Sequence, residues 1–297
     1  MTIPFYLVDV FAENKLEGNQ LAVFDNAGSL DTATMQAIAK ETNLAETTFI
    51  TNKTDDSYRV RIFTTEYEMP FAGHPTVGTA AVIAHKIQAV PSDVINLELN
   101  IGPVKVDIND NLAAFTLNKG EINQTLDKVE LAKGLELPMD SLGHLPIQVS
   151  STGFAFAMVH IKDLATLKKL ELSPIPMKKY LIAKNLHKSV ATNGVTLGFF
   201  FFTLEAEKPE NQMHSRMFLL QEGTIFEDPA TGSAHTAFTY YALMNNIFGT
   251  EFALNSEQGF EIGRPSILQI EGSWIDEVPQ VRLGGKTQFV AQGMWEV

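Results

Sequence analysis

The stretch E-M-P-F-A-G-H-P-T (68–76) returns in outline as E-D-P-A-T-G-S-A-H (227–235). In both, a Glu is followed by Pro two residues later and by Gly five residues later. Strand-like runs precede them, Tyr58–Phe63 and Ser215–Leu220, and helix-like runs follow, Thr76–His85 and Ala234–Asn245. A chain that builds one strand–turn–helix unit twice is constrained to two similar halves. Both helical runs are apolar all round, and such a helix is buried on every side. A sheet curled around it supplies that burial.

The remaining runs fit this plan. Phe5–Phe11, Leu21–Phe24, Thr47–Thr51 and Ala113–Leu117 read as strands, and Val94–Leu99 with Val104–Ile108 as a hairpin. Asp31–Asn43 carries Met35, Ile38 and Ala39 on one face, with Ser29 and Asp31 as candidate caps. Gly153–Ile161, Val195–Leu204, Ser266–Glu271 and Val278–Leu283 read as strands of the second half. The expected fold is α+β, with two pseudo-repeated domains, each a mixed β-sheet barrel around a central α-helix. The expected domains are 1–118, with the strand 286–297 a candidate addition, and 119–285, with Asn118–Thr125 as the linker.

Composition narrows the function. The net charge of −13 argues against nucleic acid and against an anionic membrane surface. The longest uncharged apolar block, Val195–Leu204, is too short for a bilayer span of ~20 residues and reads as a buried strand. The N-terminus lacks the basic opening of a signal peptide, and Asp9 interrupts its apolar run. A cytoplasmic protein is expected. There are no cysteines, so disulfides, thiolate metal sites and a cysteine nucleophile are excluded.

A helix N-terminus leaves its first N–H groups unpaired and partly positive, and glycine lets a ligand approach the backbone. Pro75, read as the first helical residue, sacrifices no needed hydrogen bond. Each turn is therefore a candidate anion cradle, and paired domains would present two of them to one small carboxylate. Glu68 and Glu227, repeated at both turns, are expected to bond backbone there.

The chain resembles the PhzF-like family of phenazine biosynthesis, of the diaminopimelate-epimerase-like fold. The resemblance is carried by V-D-V-F (8–11) with G-N (18–19), L-A-E-T-T-F (44–49), R-I-F-T (61–64) and M-P-F-A-G-H-P-T-V-G-T-A (69–80). E-D-P-A-T-G-S-A (227–234), Q-G (258–259), G-R-P-S (263–266) and L-G-G (283–285) complete it. One departure is Gln20, where the family usually has proline. The resemblance implies a cleft site between two barrels, a homodimer, and neither metal nor cofactor. It implies isomerisation of a substrate like trans-2,3-dihydro-3-hydroxyanthranilate, a hydrogen moving from C3 to C1. It matches Glu46 to the catalytic glutamate, His74, Asp228 and Ser233 to its partners, and Gly73 to a backbone contact.

The chemistry of these residue types agrees. Glu46 sits among Leu44, Ala45 and Phe49, and a carboxyl in apolar surroundings has a raised pKa that suits a general acid or base. His74 can donate or accept at neutral pH. Asp228 suits a substrate amine, and Gly232 with Ser233 suits a carboxylate. Two-base epimerases of this fold carry a cysteine at each turn. Here those positions read as Ala72 and as Pro229 or Ala230, none of which transfers a proton. An isomerase is expected. The alternatives are an epimerase or racemase with other bases, and a non-catalytic small-carboxylate binding protein. The histidines show no metal-ligand spacing, and His235 is expected to point away from Ser233.

Overall fold

The computed structural model describes residues 1–90, 92–189, 192 and 194–297. The strands are β1 (Thr2–Val10), β2 (Asn19–Phe24), β3 (Glu46–Lys53), β4 (Tyr58–Phe63), β5 (Glu68–Met69), β6 (Val94–Leu99), β7 (Gly102–Asn109) and β8 (Leu112–Leu117). They continue as β9 (Glu121–Thr125), β10 (Gln148–Ser151), β11 (Ala155–His160), β12 (Gly198–Thr203), β13 (Met213–Gln221), β14 (Thr224–Asp228), β15 (Phe252–Gln258), β16 (Ser266–Ile275) and β17 (Val278–Glu296). The helices are α1 (Thr32–Thr42), α2 (Gly73–Val82), α3 (Lys128–Gly134), α4 (Leu164–Lys168), α5 (Pro174–Ala183) and α6 (Gly232–Met244). The chain divides into one unit of Met1–Thr116 with Leu283–Val297 and a second of Leu117–Arg282.

In the first unit β1 pairs antiparallel with β17 and β2, β2 runs parallel to β3, and β4 lies antiparallel to β3 and parallel to β6. β6, β7 and β8 follow as antiparallel neighbours. The ring closes where β17 returns beside β8: Thr287 N donates to Asn111 O, and Gly284 lies against Ala113 and Ala114. Inside the ring lies α2, every residue of which is buried. Its Gly78 is met by Val8, Val10 and Leu21, so the helix fits because that position has no side chain. Outside, α1 covers Phe24, Phe49 and Phe63 with Met35, Ile38 and Ala39. Asp31 caps α1 by accepting from Thr34 N.

The second unit repeats the order of directions. β11 is parallel to β12, β12 antiparallel to β13, β13 antiparallel to β14 and parallel to β15, and β15 antiparallel to β16. Its central helix is α6. The run Gly198–Thr203 is buried on both faces, because Phe200 and Phe202 pack on Phe238 of α6 while Phe199 and Phe201 join a core with residues of α3, α4 and α5. The fold is the expected α+β arrangement of mixed sheets around buried helices.

Three local expectations are corrected. Asn118–Thr125 is no simple linker, because Glu121–Thr125 forms β9 and pairs with β10. α2 begins at Gly73, which places Pro75 third in the helix, still within the first turn where an N–H has no helical partner. The second unit also carries α3, α4 and α5, which the sequence reading left out. No helix among the described residues is long and apolar enough to cross a membrane.

Candidate active site

Glu46 is the first residue of β3. α1 stops at Asn43, whose left-handed backbone turns the chain, and β3 starts three residues on. Strand alternation then fixes the side on which Glu46 lies. Thr47 bonds Thr42 of α1, and Phe49 joins the outer core. Thr48 bonds Thr79 of α2. Glu46 shares the parity of Thr48 and therefore lies on the α2 side.

There it meets His74, the second residue of α2. His74 Nδ1 is 3.1 Å from Glu46 Oε2, with the histidine side chain 4% and the glutamate 17% exposed. Burial pushes the His74 pKa down to about 3, against the opposing effect of a hydrogen bond to the Gln20 backbone, so the ring is neutral. His74 Nε2 is buried and has no hydrogen-bond partner among the described residues. A buried ring nitrogen left unpaired is costly. Tyr67 also lies within electrostatic reach of Glu46, since burial first and that carboxylate second raise its phenol pKa. No sequence pattern pointed to Tyr67, which sits in the turn before β5.

The second turn is held by a buried amide. Thr231 Oγ1 donates to Asp228 Oδ2 at 2.5 Å. Gln258 Nε2 donates to the Asp228 carbonyl at 2.6 Å, and its Oε1 accepts from Thr231 N at 3.1 Å. Gly259 follows with φ +78°, and a Cβ there would stand 2.4 Å from Arg264 O and 2.5 Å from Pro229 O. The Q-G pair thus secures the loop that carries Asp228. Gly232 and Ser233 are the first two residues of α6.

Neither α2 nor α6 has a side-chain cap at its N-terminus; the residues there are Ala72 and Thr231. The partners of the two helix starts are therefore Ala72 and Thr231, rather than Pro229 or Ala230. Thr231 is no base either, its hydroxyl being donated to Asp228.

The two glutamates bond arginines instead of backbone. Arg61 Nε and Nη2 grip Glu68 at 2.8 and 2.6 Å, and Arg216 Nε and Nη2 grip Glu227 at 2.8 Å each. Each guanidinium lies over the phenylalanine two residues on, Phe63 or Phe218. The signal was present as R-I-F (61–63) and R-M-F (216–218). Among the described residues, Glu207, His214 and Glu261 are close enough to share a metal ion, but Lys168 holds Glu207 at 2.5 Å and His214 Nε2 lies 3.0 Å from Glu261. His235 bonds Thr231 O and Ser256, a structural role away from Ser233.

The model of the family described as phenazine biosynthesis-like protein matches residues 8–293. An uncharacterized isomerase of Mesorhizobium japonicum is 33% identical over 98% of each chain. The trans-2,3-dihydro-3-hydroxyanthranilate isomerase of Pseudomonas chlororaphis is 30% identical over 97% of this chain and 98% of its own. The crystal structure of a Bacillus anthracis PhzF-family protein superposes with a TM-score of 0.83 over the full length of both chains at 24% identity, which speaks for the fold. The chain belongs to the phenazine biosynthesis-like family, and its enzyme class is that of an isomerase.

Proposed function

We propose that this chain is a cofactor-independent isomerase that moves a proton on a small cyclic or amino carboxylate, with Glu46 as its single general acid and base. The observation that carries the reading is the Glu46–His74 pair, 3.1 Å apart at the start of a buried helix. Glu46 takes a proton from a carbon next to a double bond or carboxylate and returns it to another carbon on the same face. His74, neutral through burial, holds the carboxyl group on one side. Its free Nε2 receives a hydroxyl or amine of the substrate. Asp228 binds the substrate amine, and Gly73, Gly232 and Ser233 hold its carboxylate. The uncapped first turns of α2 and α6 favour such a charge.

Two-thiol epimerisation is unavailable to a chain without cysteine. The substrate of the Pseudomonas chlororaphis relative is the first compound to test. Incubation of the metal-stripped protein with trans-2,3-dihydro-3-hydroxyanthranilate in D₂O, followed by NMR, is expected to give an isomerised product. If this compound and a panel of cyclic and α-amino carboxylates neither react nor exchange a carbon-bound hydrogen, the reading fails.

A further inference from the structure

A concave site lies wholly within the second unit. Its cavity of about 570 Å³ is lined by Lys128, His144, His160, Lys162 and Glu205 among others. The parallel strands β11 and β12 both end at it, at His160 and Thr203. The segment before β10 is stitched to the end of β11. Gly143 N donates to His160 O at 2.7 Å, and Lys162 N donates to Ser141 O at 3.0 Å.

Lys128 is fixed in this wall. Its Nζ donates to Leu142 O at 3.2 Å and to Gly143 O at 2.8 Å. Both partners are neutral carbonyls, and no carboxylate forms an ion pair with Lys128 among the described residues. Two of its three N–H bonds are committed, so one remains on a cation with no counterion. His160 stands beside it, 6% exposed, with Nδ1 unpaired. The His144 and His160 rings meet edge to face with centroids 5.1 Å apart. Lys162 reaches Asp140 only at 3.5 Å, in an exposed pair worth little. Glu205 is engaged by Leu164 N at 2.8 Å. In a protein of net charge −13, this groove carries two lysines against one glutamate, and one of those lysines, Lys128, has no carboxylate partner among the described residues.

We propose that this groove binds a small organic anion bearing a carboxylate or phosphate group, with Lys128 as the fixed cation and His144, His160 and Lys162 around it. The volume suits a metabolite-sized molecule, since such sites span roughly 300–1,000 Å³.

The groups facing His160 give the site a signature. Burial first, then His144 and Lys128, push its pKa down to about 4, so the ring is neutral at pH 7. Lys162 adds positive charge to the same groove and Glu205 negative charge. A bound anion reverses the positive field and favours the charged ring. Binding therefore raises the His160 pKa above about 4, and the site tightens as pH falls through that raised value.

The test is histidine ring NMR of the intact protein titrated with inorganic phosphate and, separately, with acetate, each up to about 50 mM. The proposal expects the His160 and His144 signals to move saturably, with the His160 pKa rising from about 4. Preference for phosphate or acetate identifies the charged group. Lys128→Met is expected to weaken binding by about tenfold or more, while Glu46→Gln leaves it unchanged. Ring signals unmoved by either anion overturn the proposal, as does unaltered affinity in a folded Lys128→Met. The wild-type titration decides the question even where that variant does not fold.

Discussion

Glu46 Oε2 and His74 Nδ1 lie 3.1 Å apart, one at the start of a strand and the other at the start of the helix that strand encloses. The contact joins an acid with access to solvent to a ring that burial keeps uncharged. The histidine of this pair therefore acts as a hydrogen-bonding group and not as a cation.

That neutrality is measurable. Ring NMR is expected to show His74 uncharged at pH ~5, where an ordinary histidine is mostly protonated. The sign for stability follows. The folded pKa of about 3 lies below the unfolded 6.5, so the unfolded chain binds more protons between these values. The contribution is complete above pH 6.5 and is lost as pH falls toward 3. His235, held near 4 by burial, adds to the same slope. A His74 ring that titrates near 6.5 would contradict this account.

His214 works in the opposite direction. Its ring is fully buried between Glu257 at 2.8 Å and Glu261 at 3.0 Å. Burial alone would lower its pKa, but the bonds to both carboxylates outweigh it and raise it to about 9. Glu257 is desolvated too, yet bonds from His214, Asn211, Glu207 N and Lys208 N bring it down to about 2. The histidine's contribution is present below pH 6.5 and is lost as pH rises through 9. The glutamate's is present above pH 4.5 and is lost as pH falls toward 2. His214→Gln is expected to abolish the alkaline loss, read as urea midpoints across pH. An unchanged alkaline limb would refute the assignment.

The repeated arginine–glutamate forks should differ in weight. Arg216 is 8% and Glu227 11% exposed, and Arg216 also donates to the carbonyls of Leu167 and Leu170. Arg61 and Glu68 are 20% and 23% exposed. Arg216→Met takes the guanidinium away from a largely buried carboxylate and from the backbone carbonyls it holds, and should cost ~3–5 kcal/mol. Arg61→Met should cost less, ~1–3 kcal/mol. Denaturant unfolding with equal losses for the two variants would sink the comparison.

Gly78 sets helix propensity against packing. In an exposed helix, Gly→Ala stabilises by ~1 kcal/mol. Here the new Cβ would stand 2.6 Å from Val10 Cγ2 and 2.7 Å from Leu21 Cδ2, and overpacking costs ~1–3 kcal/mol. Gly78→Ala is expected to lower the thermal midpoint. A raised midpoint would show that the barrel wall yields.

Much of this was legible because burial is written in periodicity. The two apolar helices and the strands before them stand out, and the E-x-P-x-x-G repeat announces two similar halves. The four phenylalanines 199–202 read as a strand because both faces are covered. Long-range pairing was harder to read. The arginines that hold Glu68 and Glu227 come from the preceding strand; the repeated R-x-F marks them, but their pairing with the glutamates appears only once the strands lie side by side. Glu121–Thr125 escaped notice because its polar residues look like a linker until β10 lies beside them. Lys128 and His160 meet only through the register of the chain around Gly143. Gln258 was visible as part of a motif, but its grip on Asp228 and Thr231 required the fold.

The central claim is that Glu46 carries the proton. The most direct measurement pairs calorimetric binding of trans-2,3-dihydro-3-hydroxyanthranilate with its turnover in D₂O, for the wild type and for Glu46→Gln. The account predicts affinity retained within about threefold and turnover reduced by ~10²–10⁴-fold, the usual span for a positioned acid or base. Turnover and deuterium uptake at the wild-type rate in Glu46→Gln would contradict it.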